Sequence, residues 1–438
     1  MKGREERSDM NTRIYNVRIL TMEENRAIFQ GEVWIEGDTV TYVGQDSETV
    51  RGNAPKWDRE IDGQGNLLMP GFKNAHTHSA MTFLRSYADD MKLDDWLNKQ
   101  VFPAEAKLDG EAVYWFTKLA IMEYLTSGIT SAYDMYFYMD DGARAAKDCG
   151  FRYVLCDSIN NFGGTVAQME KDYLRFNTDE TRQISHRIGF HAEYTTSREL
   201  MEEVAALAHK YQVPVSVHCS ETRKEVEECR GRSGMTPVAY MDSLGLFEYG
   251  GTLFHGVHMD EDDFRIIRER GIYIVTNPAS NLKLASGIAP IKRYLEEGIP
   301  LAIGTDGPAS NNCLDMFREM FLTTGLQKAV CEDPEAVPAI EVLKMATTGG
   351  AHAMGLSECD CIQAGKKADL ILIDLNQPNM QPLRNLEKNL VYSGSKQNVK
   401  MTMVGGNVLY QDGEFYLDCP KEEIFEKANE IAQKILGE

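Results

Sequence analysis

The sequence is short of several things, and each shortage excludes a class of protein. It has no run of about 18 apolar residues, so a membrane-spanning helix is not expected. The opening stretch, Met1 to Asp9, lacks the apolar core of a signal peptide. Positive charge is scarce: Lys plus Arg total 46 against 67 Asp plus Glu, a formal net charge of −21. Such a chain has no global attraction for nucleic acid or anionic lipid, and neither is expected as a partner. The nine cysteines are an odd count without Cys-x-x-Cys spacing, and Cys359 and Cys361 stand as an ordinary pair one residue apart. That argues against a disulfide framework and for the reducing cytoplasm. Internal repeats and low-complexity linkers are absent as well.

What is present suits a large α/β protein. The chain has 438 residues, 43% of them hydrophobic, enough for a sizeable core. Both ends read as β-rich. Val33 and Ile35 alternate with polar neighbours, Glu36-Gly37-Asp38 makes a turn, and Val40 and Tyr42 resume the alternation. Near the end, Ala368 to Ile373 reads as a buried strand, and Lys400–Val404 with Asn407–Tyr410 as a hairpin around Gly405-Gly406. Lys421 to Leu436 has helical spacing.

The middle alternates strands with helices, the rhythm of a parallel sheet. Its strands begin at Leu67, Gly128, Phe151, Arg187, Val213, Gly251, Ile272 and Ile299, eight in all. The expected fold is a (β/α)₈ barrel at 67–364. A small β-sandwich domain built from both chain ends, 1–66 and 365–438, accompanies it, with a terminal helix.

Several barrel strands end in His or Asp, and in such barrels the chemistry sits at the C-terminal strand ends. His76 and His78, in Leu67-Leu-Met-Pro-Gly-Phe-Lys-Asn-Ala-His76-Thr-His78, alternate on an extended strand and can face one cavity. With His218 and Asp306 they make three imidazoles and a carboxylate. That donor set suits one divalent ion, Zn²⁺ first, with Fe²⁺ or Mn²⁺ also compatible. Glu221, three residues past His218, can hold a proton for a substrate ring nitrogen; its ordinary alternative is a solvated loop carboxylate. His255 is preferred to His258 as the imidazole that orients the attacking water, and His258 reads as a packing residue. An ion here would bring the pKa of a bound water to about 7. Asp306 could take the water proton and pass it to a departing amine. The whole suits hydrolysis at an sp² carbon; which carbon is left open.

These residues resemble the amidohydrolase superfamily, and within it the 5-methylthioadenosine/S-adenosylhomocysteine deaminases. The matching stretches are Pro70-Gly-Phe-Lys-Asn-Ala-His-Thr-His-Ser-Ala-Met-Thr82, Asp94-Asp-Trp-Leu97 to Pro103-Ala-Glu105, His218-Cys-Ser-Glu221, His255-Gly-Val-His258, Asn277 to Leu284 and Gly304 to Asn312. The resemblance implies a nucleoside substrate, an adenosine-type thioether deaminated to its inosine analogue, and more than one subunit. It implies His76, His78, His218 and Asp306 as metal ligands, with Glu221, His255 and Asp306 catalytic. By the same resemblance, Glu105 would grip the ribose hydroxyls, Trp96 would form an aromatic wall, His191 would touch the purine, and Arg152 would reach a substrate carboxylate. Related two-metal sites carry a lysine on the fourth strand; the segment 184–197 has none, which favours one metal. Two departures, Glu193 beside His191 and Thr276 before Asn277, bear on the substrate. The same machinery acting on guanine, another aminopurine or a triazine stays open, as does a non-catalytic barrel with an assembly role. A cytidine-type zinc deaminase is disfavoured because Pro-Cys-x-x-Cys is absent.

Overall fold

The computed structural model describes residues 10–45, 52, 55–91, 93–178 and 181–437. The Met1–Asp9 stretch, expected to carry no leader, lies outside the described residues, as does the side chain of Asp94. Eight parallel strand positions make the barrel. Phe72–Thr77, Ile129–Met135, Arg152–Cys156 and Ile184–Arg187 form one arc, and Gly189–Ala192, Val215–Cys219, Gly251–His255, Tyr273–Thr276 and Leu301–Ile303 the other. The fourth position is one strand broken at Ile188: its first half pairs backward with Arg152–Cys156 and its second half forward with Val215–Cys219. Most of these strands are buried along their whole length, so they read as continuous apolar runs rather than alternation.

Helices between the strands start where the sequence supplies caps. Asp109 accepts from Ala112 N ahead of Gly110–Thr126, Ser197 from Leu200 N ahead of Arg198–Tyr211, and Thr222 with Glu225 forms a capping box on Arg223–Ser233. The terminal helix Lys421–Leu436 buries Ala428 and Ile435 in one apolar cluster with Val113 and Phe116.

The barrel closes between its first and last strands. Thr305 N donates to Asn74 Oδ1 and Asn74 Nδ2 to Thr305 Oγ1, each at 2.8 Å, and Asp306 N donates to His76 O at 3.0 Å. Gly304 permits this approach, since a Cβ there would sit 2.7 Å from His76 O and 2.5 Å from Asn277 Oδ1.

Strands from the two chain ends join in a single nine-stranded sheet. Its two wings share one core, in which Ile14, Val33, Ile35 and Val40 meet Leu370, Leu372, Met401 and Met403. Leu67–Pro70, expected as the opening of the first barrel strand, belongs to this sheet instead. It lies between Asn11–Ile19 and Leu370–Ile373. The chain passes into the barrel at Gly71, where a Cβ would lie 2.1 Å from Thr130 Cγ2. We therefore propose Gly71 rather than residue 67 as the start of the barrel unit. Among the described residues, no helix is long and apolar enough to cross a membrane.

Candidate active site

Four strand ends deliver the site. His76 and His78 come from Phe72–Thr77 and the residue after it, and His218 is the penultimate residue of Val215–Cys219. His255 ends Gly251–His255, and Asp306 follows Leu301–Ile303. His255 and Asp306 adopt left-handed backbone conformations, φ +76° and +58°. Non-glycine residues rarely take such angles, and they persist only where the surroundings hold them. Here the turn at each strand end aims the side chain inward.

One donor atom from each of His76, His218, His255 and Asp306 lies within 4.8 Å of the others, and all four residues are buried. His78 adjoins this group: its Nε2 is 3.2 Å from Asp306 Oδ1 and 3.3 Å from His218 Nε2. Three of the imidazoles are oriented from behind. His78 Nδ1 donates to Met135 O and His218 Nδ1 to His191 O, each at 2.6 Å, and His255 Nδ1 donates to Asn281 Oδ1 at 2.8 Å. Their Nε2 atoms are thereby directed to the common centre. Asp306 Oδ2 accepts from Ser280 Oγ at 2.6 Å and Ser310 Oγ at 2.9 Å, which leaves Oδ1 for that centre. Both ring nitrogens of His76 are buried without a hydrogen-bond partner. Buried polar atoms are rarely left so, and a cation held at Nε2 would account for one of them. The donor set of imidazoles and a carboxylate fits Zn²⁺, so the residues fit the ion.

Electrostatics follow from burial. It takes His76 down to about 3 and His218 well below the ordinary imidazole value, which keeps both rings in the neutral, ligating form. At His78 burial is outweighed by Asp306, which takes the ring up to about 9. Burial pushes the Asp306 carboxyl up, but His76 and His78 hold it well below the usual carboxylate range.

Glu221 stands at the edge of this cluster. Ser286 Oγ donates to its Oε1 at 2.8 Å, and its Oε2 is 3.7 Å from His255 Nε2. Its backbone is fixed by Glu225, whose carboxylate accepts from Ser220 N at 2.6 Å, Glu221 N at 2.8 Å and Thr222 N at 3.4 Å. His258 turns away, its Nε2 donating to Ser286 O at 2.7 Å.

A cavity of about 800 Å³ opens over the cluster, lined among others by Trp96, Glu105, Tyr136 and His191. Tyr136 Oη donates to Glu105 Oε1 at 2.6 Å, and burial lifts that carboxyl to about 7 despite the bond. His191 Nδ1 meets Thr195 Oγ1 at 2.9 Å, and burial takes the ring down to about 4.

Arg152 is not brought to the site. As the first residue of its strand it lies at the barrel's opposite end, where Nε and Nη2 donate to Asp369 Oδ2 and Oδ1 at 2.6 and 2.9 Å. Its expected role on substrate is corrected accordingly. Glu193 is also spoken for: Arg232 Nη2 donates to it at 2.7 Å, and it does not line the cavity. Thr276 is buried outside the cavity wall. Sequence reasoning missed Tyr136 and Ser280, which sit in loops or short helices without periodic signal, and Glu225, hidden in a run of acidic residues.

The Amidohydrolase family model matches residues 67–409. A 5-methylthioadenosine/S-adenosylhomocysteine deaminase of Thermoanaerobacter pseudethanolicus is 40% identical over 92% of this chain and 95% of its own length. A 5′-deoxyadenosine deaminase of Methanothermobacter thermautotrophicus is 39% identical over 94% and 96%. An adenosine deaminase from Xanthomonas campestris, solved with bound zinc, superposes with a TM-score of 0.92 at 31% identity, over 98% of this chain and 99% of its own.

Proposed function

The chain belongs to the amidohydrolase family, and from that premise we propose that it is a metal-dependent deaminase of adenosine-type nucleosides, releasing ammonia and the inosine analogue. The convergence of His76, His218, His255 and Asp306 within 4.8 Å carries this reading.

In the mechanism we infer, His76, His78, His218 and Asp306 would hold one divalent ion, Zn²⁺ by choice of donors. When bound, the ion lowers the pKa of water and makes it a nucleophile at neutral pH. The Asp306 carboxylate, held by Ser280 and Ser310, takes a proton from the attacking water. His255 orients that water through Nε2, its ring steadied by Asn281. Glu221 gives a proton to N1 of the purine as the water oxygen bonds to C6. The proton on Asp306 then passes to the amino nitrogen and the C–N bond breaks. The remaining hydroxyl proton returns to Glu221, which leaves a C6 carbonyl and N1–H. Glu105, within the cavity and paired with Tyr136, accepts from both ribose hydroxyls, while Trp96 and His191 border the base and sugar. That carboxylate is what favours a nucleoside over guanine or a triazine.

Nine unpaired cysteines support a reducing, cytoplasmic setting, and we assign a homo-oligomer on the family resemblance, to be checked by sedimentation. Ammonia release and UV absorbance across adenosine, 5′-methylthioadenosine, S-adenosylhomocysteine, guanine and a triazine, with Zn²⁺ supplied, test the function. Turnover confined to guanine or triazine would overturn it. Glu105→Ala is expected to lower kcat/KM on nucleosides tenfold or more; an equal loss on free adenine and on nucleosides would remove the ribose assignment.

A further inference from the structure

We propose that this enzyme selects nucleosides with an uncharged, apolar 5′ substituent and discriminates against those bearing an amino-acid tail there. The inference rests on the deaminase reading and goes beyond it, since that reading treats thioether nucleosides alike.

The cavity has a direction. Its deep end is the strand-end cluster with Glu221, its middle is Glu105 with Tyr136, and its outer wall includes Phe102, Phe137, Tyr138 and Phe162. With the purine amino carbon at the cluster and the ribose hydroxyls at Glu105, the 5′ carbon points outward. It therefore meets aromatic rings. These residues face solvent, and for two of them the hydroxyl or the backbone is held. Tyr138 Oη donates to Leu108 O at 2.8 Å. Phe162 sits on a tight turn in which Asn160 N donates to Gly163 O, Gly163 N to Asn160 O, and Phe162 N to Asn160 Oδ1 at 2.8 Å. Its residue is 90% exposed at the cavity mouth, the most exposed large apolar residue among those described. A phenyl group exposed to water beside an apolar opening gains by covering an apolar ligand group. A methyl or thioether group lying against such rings makes favourable contacts.

Charge points the same way. The ionisable groups on the cavity wall are carboxylates, imidazoles and phenols; among the described residues neither Lys nor Arg lines it. The arginine expected to meet a substrate carboxylate, Arg152, is bound to Asp369 at the far end of the barrel. Asn160, one of two side-chain amides among the described residues lining the cavity, already directs Nδ2 to Ser158 O and accepts at Oδ1 from Phe162 N. An ammonium could lie over a ring face. The carboxylate on the same carbon would lose water without gaining a counter-ion, and it would enter a cavity already holding Glu105, Glu221 and Asp306.

The test compares kcat/KM of the zinc-loaded full chain on 5′-methylthioadenosine, 5′-deoxyadenosine and S-adenosylhomocysteine, with adenosine alongside. The first two are expected to exceed S-adenosylhomocysteine at least fivefold; a smaller ratio, or the reverse order, overturns the proposal. Phe162→Arg, at an exposed turn position where folding is not at stake, is expected to shift the ratio at least fivefold toward S-adenosylhomocysteine. A smaller shift overturns the assignment of Phe162 to the 5′ group. Failure of the wild type on every nucleoside, adenosine included, would instead remove the deaminase reading on which the inference stands.

Discussion

At the floor of the barrel the buried charges are matched. Arg152 grips Asp369 with two parallel bonds, Gly405 N donates to the same carboxylate at 2.8 Å, and the wholly buried Lys73 lies 3.8 Å from it while donating to Thr130 Oγ1. Burial pushes Asp369 up, but Arg152 outweighs it and holds the carboxyl at about 2. At the rim the same depth of burial leaves both ring nitrogens of His76 without a hydrogen-bond partner, holds His255 and Asp306 in left-handed backbone, and sets Glu105, Glu221 and Asp306 on the wall of one cavity. The floor spends its polar groups on one another and ties the barrel to the outer sheet. The rim leaves valence and strain for something that arrives from outside.

Mutations at the two ends should therefore fail differently. The largest effect is expected at the rim: His218→Ala should remove bound zinc, measured by elemental analysis, and with it turnover, while circular dichroism stays native. Full activity without bound metal would erase the contrast. Next, Glu221→Gln should keep the metal and lose about 10²- to 10⁴-fold in kcat, the usual weight of a positioned proton donor. Single-turnover kinetics at matched zinc content would read it, and loss of the ion would reassign the residue.

At the floor, Asp369→Ala strands two buried cations and should cost about 3–5 kcal/mol of stability in urea. Activity per folded molecule and zinc content should stay as in the wild type. A change in substrate preference there would blur the division. The smallest effect concerns Glu319, buried beneath the rim, where Oε2 accepts from Ala279 N and Oε1 from Asn311 Nδ2. Burial raises its carboxyl to about 8 from an ordinary 4.5. Between those values the folded chain keeps a proton that the unfolded chain has lost, so rising pH favours unfolding. Stability should fall across that window by at most about 1.4 kcal/mol per pH unit, and Glu319→Gln should flatten the slope. Parallel slopes in wild type and variant would place the proton elsewhere.

Much of the rim was legible in the sequence because strand ends punctuate it: an apolar run followed by His or Asp is a local pattern, and four of them pointed one way. Arg152 was misjudged for lack of direction, since the first residue of a strand lies a barrel's length from the last. Leu67–Pro70 was joined to the barrel because a run buried in either sheet looks the same; only the tight passage at Gly71 separates them. That the donor of His255 lies within 4.8 Å of those of His76, His218 and Asp306 depends on backbone angles that no spacing encodes. The aromatic mouth came from loops, where chemistry has no period to betray it.

Asn74 and Thr305 bond to each other in both directions across 231 residues of chain. Two of the donors proposed for the ion ride on the opening strand and one follows the closing strand, so the set is incomplete until residue 306 has left the ribosome and the cylinder has been sewn shut. Capture of the ion would in that sense inspect finished assembly: a molecule halted earlier lacks one of the four proposed donors, and a molecule with the full set has both edges pinned together.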